Sequence, residues 1–219
     1  MNLYLIRHGR QNSDLCNVNV PLCDAGKKQA ELVAKRLKNY QIGMIFSSDL
    51  IRAQETAAII NQTLRVPHRI DERLREISFG QLEGLSNSEI LQQYGDFIRE
   101  KNKRDRDIAY PGGECGKDVF KRGKKALDEW TTKARELESY QNIAVVTHGG
   151  WIRAMLAGIL SNDFSKKLMF AKDLENCSIT QIRIEQTDTE DKFYIERVND
   201  FAHLEVDETL LRKNFKKGI

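Results

Sequence analysis

Apolar positions along the chain alternate between short extended runs and longer stretches with helical spacing. The predicted strands cover residues 3–6, 44–46, 69–71, 143–147, 178–185 and 193–198. The run at 143–147 reads Ile-Ala-Val-Val-Thr, and such a continuous apolar run is typical of a strand buried on both faces of a sheet. The segments at 178–185 and 193–198 alternate apolar and polar positions, as closing strands do.

Between the strands, apolar residues recur at helical spacing. The predicted helices cover residues 24–39, 50–61, 117–137 and 150–160. A further helix is predicted to begin at Ser86, because Ser86 and Glu89 have the spacing of a capping box, and Gly95 is expected to end or interrupt it. The β-α-β-α order predicts an α/β fold with a largely parallel sheet, in a single domain over residues 1–219.

Composition and charge narrow the class of protein. The chain has 219 residues, 40% of them hydrophobic and 31% charged, as in ordinary globular proteins, and its net charge of +3 is too small to indicate nucleic-acid binding. No run approaches the ~18 apolar residues that suggest a membrane span, and the first strand begins too early for a signal peptide. Four scattered cysteines without ligand spacing suggest reduced thiols. We therefore expect a cytoplasmic protein with no nucleic-acid or membrane partner.

Two charged segments are interpreted as surface. The run at 99–107 mixes both signs densely, and a solvated segment explains it better than a binding role. The basic tail from Arg212 onward is expected to be frayed.

Reactive side chains follow the predicted strands. Arg7 and His8 end the first apolar run, His148 ends the run at 143–147, and Arg52 lies one turn into the helix after the second strand. Ligands bind beyond the carboxyl ends of parallel strands, so these groups are expected to meet. Guanidinium groups match phosphate oxygens, and a neutral imidazole can attack phosphorus. The pattern indicates phosphoryl transfer.

The ordered set of motifs resembles the histidine phosphatase superfamily, also called phosphoglycerate mutase-like. The motifs are Leu5-Ile-Arg-His-Gly9, Pro21-Leu-Cys-Asp-Ala-Gly26, the segment from Ser47 through Arg52 to Ala57, Leu74-Arg-Glu76, Tyr110-Pro-Gly-Gly-Glu114, Val146-Thr-His148-Gly-Gly150 and, more weakly, Asn199-Asp-Phe-Ala-His203-Leu. Together they span about residues 3 to 204, so the resemblance covers nearly the whole chain.

The resemblance implies a three-layer α/β/α sandwich around a mostly parallel sheet, and a role for each matching residue. His8 would be the nucleophile, and Glu76 would protonate the leaving group and later activate water. Arg7, Arg52 and His148 would bind the phosphoryl oxygens, with the Gly149 amide as a further donor. The resemblance implies no metal and no diffusible cofactor.

Several positions depart from the family pattern or leave alternatives open. Arg10 and Gln11 follow Arg-His-Gly in this chain. Many relatives have Thr or Ser at the position of Gln11, and its hydroxyl group contacts phosphate. The Gln11 amide is expected to replace that contact. Asn12 and Asn17 both compete for an asparagine that is common in relatives. Three other glutamates compete with Glu76 for the role of the acid: Glu72, Glu83 and Glu114. Arg153 is expected to pair with a neighbouring carboxylate. His68 and His203 are interpreted as structural histidines.

These observations predict a phosphatase that hydrolyses phosphomonoesters of small metabolites through a phosphohistidine on His8. The alternative is a 2,3-bisphosphoglycerate-dependent phosphoglycerate mutase, and a remote one is a non-catalytic phosphate-binding scaffold. The expected partner is a small phosphorylated metabolite, and a homodimer is left open. Sugar phosphates, nucleotide precursors, a ribazole phosphate and phosphoprotein all remain candidate substrates.

Overall fold

A six-stranded sheet forms the centre of the fold in the computed structural model, which describes residues 1–160 and 163–212. The strands are β1 (Asn2–Arg7), β2 (Met44–Ser47), β3 (His68–Ile70), β4 (Asn142–Thr147), β5 (Ile179–Glu185) and β6 (Lys192–Asp200), in the order β3-β2-β4-β1-β5-β6. The first four strands pair in parallel, while β5 is antiparallel to β1 and to β6. The mostly parallel sheet is therefore as predicted.

Helices cover both faces of this sheet. They are α1 (Asp24–Leu37), α2 (Ile51–Leu64), α3 (Asn87–Lys103), α4 (Gly116–Ala134) and α5 (Gly149–Ile159). Tyr4 and Ile6 of β1 share a buried apolar cluster with α1 and α2, whereas Leu3 and Leu5 share another with α4 and α5. Because successive side chains of a strand point to opposite faces, this alternation places α1 and α2 on one face and α4 and α5 on the other. The three-layer α/β/α sandwich is confirmed.

The element boundaries follow the predictions to within a few residues. The capping box at the start of α3 is present: the Ser86 hydroxyl accepts from the Glu89 amide at 3.3 Å, and the Ser86 amide donates to the Glu89 carboxylate at 2.7 Å. Helix α3 is interrupted rather than ended near Gly95, because Tyr94 has non-helical torsions (φ −125°, ψ 22°) and the helix resumes to Lys103.

The charged run at 99–107 is less solvated than its composition suggests. Asp107 and Lys167 form an ion pair of 2.8 Å with both side chains 13% exposed. Lys101 is half-buried, and its ammonium group lies 4.1 Å from the centre of the Tyr110 ring. The surface prediction is wrong for Lys101 and Asp107, because contacts with distant residues turn their side chains inward.

Three other expectations concern the cysteines, a membrane span and the tail. The four cysteines are free thiols, and Cys177 is buried. No helix in the described ranges is long and apolar enough to cross a membrane. Of the basic tail, Arg212 is held by its amide, which donates to Glu175 at 2.7 Å, and residues 213–219 lie outside the described residues.

Glycine at position 26 allows the chain after His8 to pass directly over helix α1. A Cβ at Gly26 would lie 2.1 Å from the carbonyl oxygen of Arg10 and 2.8 Å from its amide nitrogen. Backbone cannot move aside as a flexible side chain can, so Gly26→Ala is expected to lower the free energy of unfolding by about 3 kcal/mol, the upper end of typical overpacking costs. Urea unfolding followed by circular dichroism measures the change.

Gly95→Ala is the matched control, because a Cβ there would meet only the Arg99 guanidinium, at 3.4 Å. Helix propensity predicts that this control is neutral or up to ~1 kcal/mol more stable. Equal stability of the two variants would contradict the close approach at Gly26.

Candidate active site

The register between β1 and β4 brings two histidines together at the carboxyl ends of these strands. Arg7 is the parallel-register partner of Thr147, and the His8 amide donates to the Thr147 carbonyl at 2.9 Å. His8 and His148 come next on their strands, and their ring centres lie 5.0 Å apart. The structure therefore juxtaposes the two imidazoles that the sequence places after apolar runs.

The ring of His8 is fixed in orientation and charge. Its Nδ1 lies 2.7 Å from the Gly9 carbonyl oxygen, which can only accept, so we assign the ring proton to Nδ1 and the lone pair to Nε2. Arg52 Nε donates to this Nε2 at 3.3 Å. Burial and the charges of Arg7 and Arg52 lower the pKa of His8 well below its ordinary value. The imidazole is thus held neutral, and its Nε2 lies beside Arg52 at the cleft.

Arg52 is a buried cation held by the loop that follows β1. It is 2% exposed, donates to the Val18 carbonyl at 3.0 Å, and donates to Asn17 Oδ1 at 2.7 Å. Asn17 itself has positive φ (45°), a conformation in which asparagine is enriched, and it lines the cleft. Of the two competing asparagines, Asn17 therefore lies at the site, where it positions a guanidinium.

Buried polar atoms without partners in the described residues meet beside His8. They are Nε of Arg7 and both ring nitrogens of His148, although the Arg7 head group also donates to the Leu174 carbonyl. Burial and the neighbouring Arg212 lower the pKa of Arg7 to about 10. Burial, His8 and Arg52 lower the pKa of His148 well below its ordinary value. Such unpaired buried groups are rare in proteins, and they mark a place where a ligand can bind.

The Glu76 carboxylate is held by backbone amides at the start of α5. It accepts from Gly150 at 3.2 Å, from Trp151 at 3.1 Å and from its neighbour Ile77 at 2.9 Å. A helix N-terminus favours negative charge, so α5 fixes this carboxylate in position. A Cβ at Gly150 would lie 2.4 Å from Glu76 Oε1, which explains the second glycine of His-Gly-Gly.

The competing glutamates occupy other positions. Glu114 pairs with Arg122 at 2.9 Å, and Arg122 donates to the Glu76 carbonyl at 3.0 Å, so this pair braces the loop that carries Glu76. Glu83 accepts from the Phe79 amide at 2.9 Å and from Asn17 at 3.0 Å, as expected of a loop residue. Among these carboxylates and Glu72, all in the described part of the chain, Glu76 alone lines the cleft with His8.

The other predicted binding residues lie close to the site. A Cβ at Gly149, the first residue of α5, would be 3.7 Å from Arg7 Nε, so this glycine lies against the guanidinium. Gln11 lines the cleft, and its amide nitrogen donates to the Ser13 carbonyl at 3.0 Å. Arg10 also lines the cleft and donates to the Leu210 carbonyl at 2.7 Å. Phosphate contacts from Gly149 and Gln11 stay predictions.

The remaining candidates are placed as follows. Arg153 donates to the Ala171 and Lys172 carbonyls, at 2.7 and 2.8 Å, and it also interacts electrostatically with the neighbouring carboxylates of Glu76 and Asp173. His68 contacts the Ser47 hydroxyl at 2.8 Å, and His203 contacts the Cys177 carbonyl at 3.0 Å. These contacts tie the two histidines to the scaffold.

Residues that were not predicted from the sequence reach the site from the C-terminal third of the chain. Asn176 donates to the His8 carbonyl at 2.9 Å across 168 positions of sequence. Glu175 is fully buried and anchors the amide of Arg212, which lines the cleft. No local pattern identifies such residues, since their roles depend on how distant loops close over β1.

The cleft combines a cationic floor with an apolar wall. Its volume is about 1060 Å³, and Arg7, His8 and Arg52 lie at its polar end. The apolar wall is formed by Phe79, Leu82, Ile90, Leu91, Ile98 and Tyr110, from α3 and the loops beside it. Within residues 1–160 and 163–212, no group of three or more His, Cys, Asp or Glu side chains is placed to hold a metal ion. The arrangement suits a ligand with one anionic tetrahedral group.

Comparisons with known proteins identify the family of the chain. A family model described as histidine phosphatase superfamily (branch 1) matches residues 3–200, and the chain belongs to this family. It is 29% identical over 191 residues to phosphoserine phosphatase 1 of Hydrogenobacter thermophilus, covering 85% of this chain and 88% of that protein. It is 28% identical over 212 residues to a probable phosphoglycerate mutase of Yersinia pestis, covering 94% and 96% of the two chains.

A solved relative extends the likeness to three dimensions. A mycobacterial glucosyl-3-phosphoglycerate phosphatase in complex with inorganic phosphate matches with a TM-score of 0.82 and 26% identity. The match covers 92% of this chain and 98% of that one. The fold is thus that of the family.

The lowered pKa values predict that His8 and His148 stay neutral in mildly acidic solution. At pH 6.0 a histidine with a pKa of about 6.5 is roughly three-quarters protonated. We expect the ¹⁵N signals of both rings in the ligand-free protein to keep the neutral pattern there, because protonation would add charge beside two buried arginines. The same protein unfolded in urea is the control, and titration near pH 6.5 in the folded state would contradict the assignment.

Proposed function

We propose that this protein is a phosphatase that hydrolyses phosphomonoesters of small metabolites through a phosphohistidine on His8. The observation that carries the proposal is the state of the His8 ring: neutral, with Nδ1 held by the Gly9 carbonyl and Nε2 directed to the cleft beside Arg52. A neutral imidazole nitrogen between fixed cations is a competent nucleophile toward phosphorus.

In the first step His8 Nε2 attacks phosphorus, the N–P bond forms and the bond from phosphorus to the leaving oxygen breaks. Arg7 and Arg52 neutralise the charge on the non-bridging oxygens, and guanidinium forks suit that geometry. His148, whose ring nitrogens have no partners within the described residues, donates to a third oxygen. Gly149, and Gln11 after rotation of its side chain, are further candidates for binding at the rim.

Glu76 is the proton donor and acceptor of the reaction. In the first step it transfers a proton to the departing alkoxide, which leaves as the neutral alcohol. In the second step it takes a proton from a water molecule that attacks phosphorus, the N–P bond breaks, and phosphate is released. The amides at the start of α5 support this role because they keep one carboxylate at a fixed position through both steps.

Phosphoglycerate mutase activity is the competing function, and similarity to a probable phosphoglycerate mutase favours it. The two functions share the step that forms phosphohistidine and differ in the acceptor, which is water or a bound glycerate. We favour water, because relatives with phosphatase names match over most of the chain. A scaffold without turnover is not favoured, since every core residue of the family is present.

We further propose that the protein acts in the cytoplasm and binds neither membranes nor nucleic acid; a homodimer stays open.

Replacement of the nucleophile tests the proposal directly. His8→Asn is expected to abolish phosphate release from p-nitrophenyl phosphate, a loss of at least about 10⁴-fold, because the variant lacks the imidazole nitrogen that forms the covalent intermediate. The wild-type enzyme is expected to carry an acid-labile phosphate after rapid quenching, detected by mass spectrometry. His68→Asn, which changes a histidine away from the cleft, is the matched control.

Two results would contradict the proposal. Turnover by His8→Asn would refute the nucleophile. Conversion of 3-phosphoglycerate to 2-phosphoglycerate in a coupled assay, faster than phosphate release and dependent on 2,3-bisphosphoglycerate, would establish the mutase instead.

Glu76→Gln tests whether Glu76 donates a proton or acts only as a structural residue. The amide keeps the shape of the carboxyl group but has no proton to transfer. We expect formation of the phosphoenzyme to slow by about 10²–10⁴-fold with glycerol phosphate, whose alkoxide needs protonation. With p-nitrophenyl phosphate the loss should be far smaller, since p-nitrophenolate leaves without an acid. Single-turnover quench experiments measure both rates.

Glu72→Gln is the control, because Glu72 lies in the same segment as Glu76 but is exposed and does not line the cleft. An equal loss with both substrates in Glu76→Gln would show that Glu76 acts only in holding the loop.

A further inference from the structure

A buried loop at residues 174–178 leads into strand β5. All five of its residues are buried, although none of them belongs to a helix or a strand. Loops usually run over the surface of a protein, because backbone groups that are removed from water need hydrogen-bond partners. A loop that is buried this completely must find those partners within the protein.

The loop finds its partners at the end of β1, where the proposed nucleophile lies. The Arg7 guanidinium donates to the Leu174 carbonyl. The Cys177 amide donates to the Arg7 carbonyl at 2.9 Å, and the Asn176 side chain donates to the His8 carbonyl at 2.9 Å. The loop therefore fixes the backbone of His8 together with both the backbone and the head group of Arg7.

The start of the loop is held by Asn199, near the end of β6. Residues 198 and 199 of β6 stand opposite Thr180 alone in β5, which makes a bulge in the pairing of the two strands. Asn199 has positive φ (54°), a conformation that asparagine adopts more readily than most residues. A bulge changes the direction of a side chain, and here the Asn199 Oδ1 accepts from the Glu175 amide of the loop at 2.7 Å.

The end of the loop is held by His203. The Arg36 guanidinium, which can only donate, lies 3.1 Å from His203 Nδ1, so we assign the ring proton to Nε2, which donates to the Cys177 carbonyl at 3.0 Å. Burial and the charge of Arg36 lower the pKa of His203 to about 4, so the ring keeps this state near neutral pH. Cys177 has positive φ (55°), which is strained for cysteine, and the bond to its carbonyl helps to maintain that conformation.

We propose that Asn199 and His203 are positioning residues, which fix Arg7 and His8 in their reactive geometry through the loop at 174–178. The inference rests on the proposed function and gives a role in it to the motif at 199–204. Neither Asn199 nor His203 lines the cleft, so their effect on the reaction is transmitted by the loop. Attack on phosphorus requires alignment of the imidazole with the bound phosphoryl group, and a displacement of about 1 Å can cost about 100-fold in rate.

The double variant Asn199→Gly with His203→Phe tests the role. Glycine keeps the positive φ at position 199, and phenylalanine keeps a ring at position 203, while both hydrogen bonds to the loop are lost. We expect kcat with p-nitrophenyl phosphate to fall about 10–100-fold. Vanadate adopts the five-coordinate geometry of the transition state, whereas phosphate does not. The inhibition constant of vanadate should therefore rise about tenfold more than that of phosphate.

Asn61→Ala is the matched control. It also removes two side-chain hydrogen bonds to backbone, both to Val66, in the segment before β3 at one edge of the sheet. We expect it to lower the unfolding temperature but to keep the wild-type ratio of the two inhibition constants. An unfolded fraction lowers kcat and leaves the inhibition constants of the folded protein unchanged, so this ratio separates positioning from stability.

A conservative variant tests the contact of His203 by itself. The amide nitrogen of glutamine can donate to the Cys177 carbonyl in place of His203 Nε2. His203→Gln should therefore keep most of the activity that His203→Phe loses, with the wild-type ratio of inhibition constants.

Two results would overturn the inference: a wild-type ratio in the double variant, or the same change of ratio in Asn61→Ala. Failure of the proposed function gives a different pattern, because the wild-type protein would then release no phosphate from p-nitrophenyl phosphate. In that case calorimetry of vanadate and phosphate binding measures the same ratio without turnover. A wild-type protein that binds neither anion would contradict both proposals.

Discussion

The parallel pairing of β1 with β4 is the constraint on which the rest of the site depends. Because Arg7 and Thr147 are register partners, His8 and His148 leave their strands side by side, and one backbone hydrogen bond joins the two strand ends. Side chains alternate between the faces of a strand, so a shift of one residue would direct an imidazole to the wrong side of the sheet. The buried apolar residues on both faces oppose such a shift, since each set fits one helical layer.

Buried charge gives the site its reactivity. Arg7 and Arg52 are cations in a region of little solvent, and their effect, added to burial, is to keep both imidazoles neutral. Their positions are maintained by neutral groups from distant segments, including the Leu174 and Val18 carbonyls and the amide of Asn17. Carbonyl and amide oxygens orient a guanidinium without cancelling its charge, which leaves positive charge available to a phosphoryl group.

The proposed acid, Glu76, shows what a sequence motif can predict about a site. Glu76 is identified by its position in the Leu-Arg-Glu motif. The structure shows how its carboxylate is held: the first turn of α5, directly after His148, supplies two of the amides that donate to it. The helix that follows β4 thus positions a residue from another segment. The charged run at 99–107 illustrates the limit, because composition predicts a solvated surface while packing against Tyr110 and Lys167 turns part of it inward.

The sequence by itself determined the α/β class, the sheet-forming runs, the helices with their capping box, and the set of residues at the strand ends. These features follow from local periodicity and from chemistry that is fixed by residue type. Tertiary structure alone decided that Asn17 and not Asn12 holds Arg52, that Asn176 and Arg212 reach the site, and that one buried loop links β6 to the end of β1. The physical reason is that such contacts join segments far apart in sequence. Their geometry depends on how loops close over a packed sheet, which no local pattern encodes.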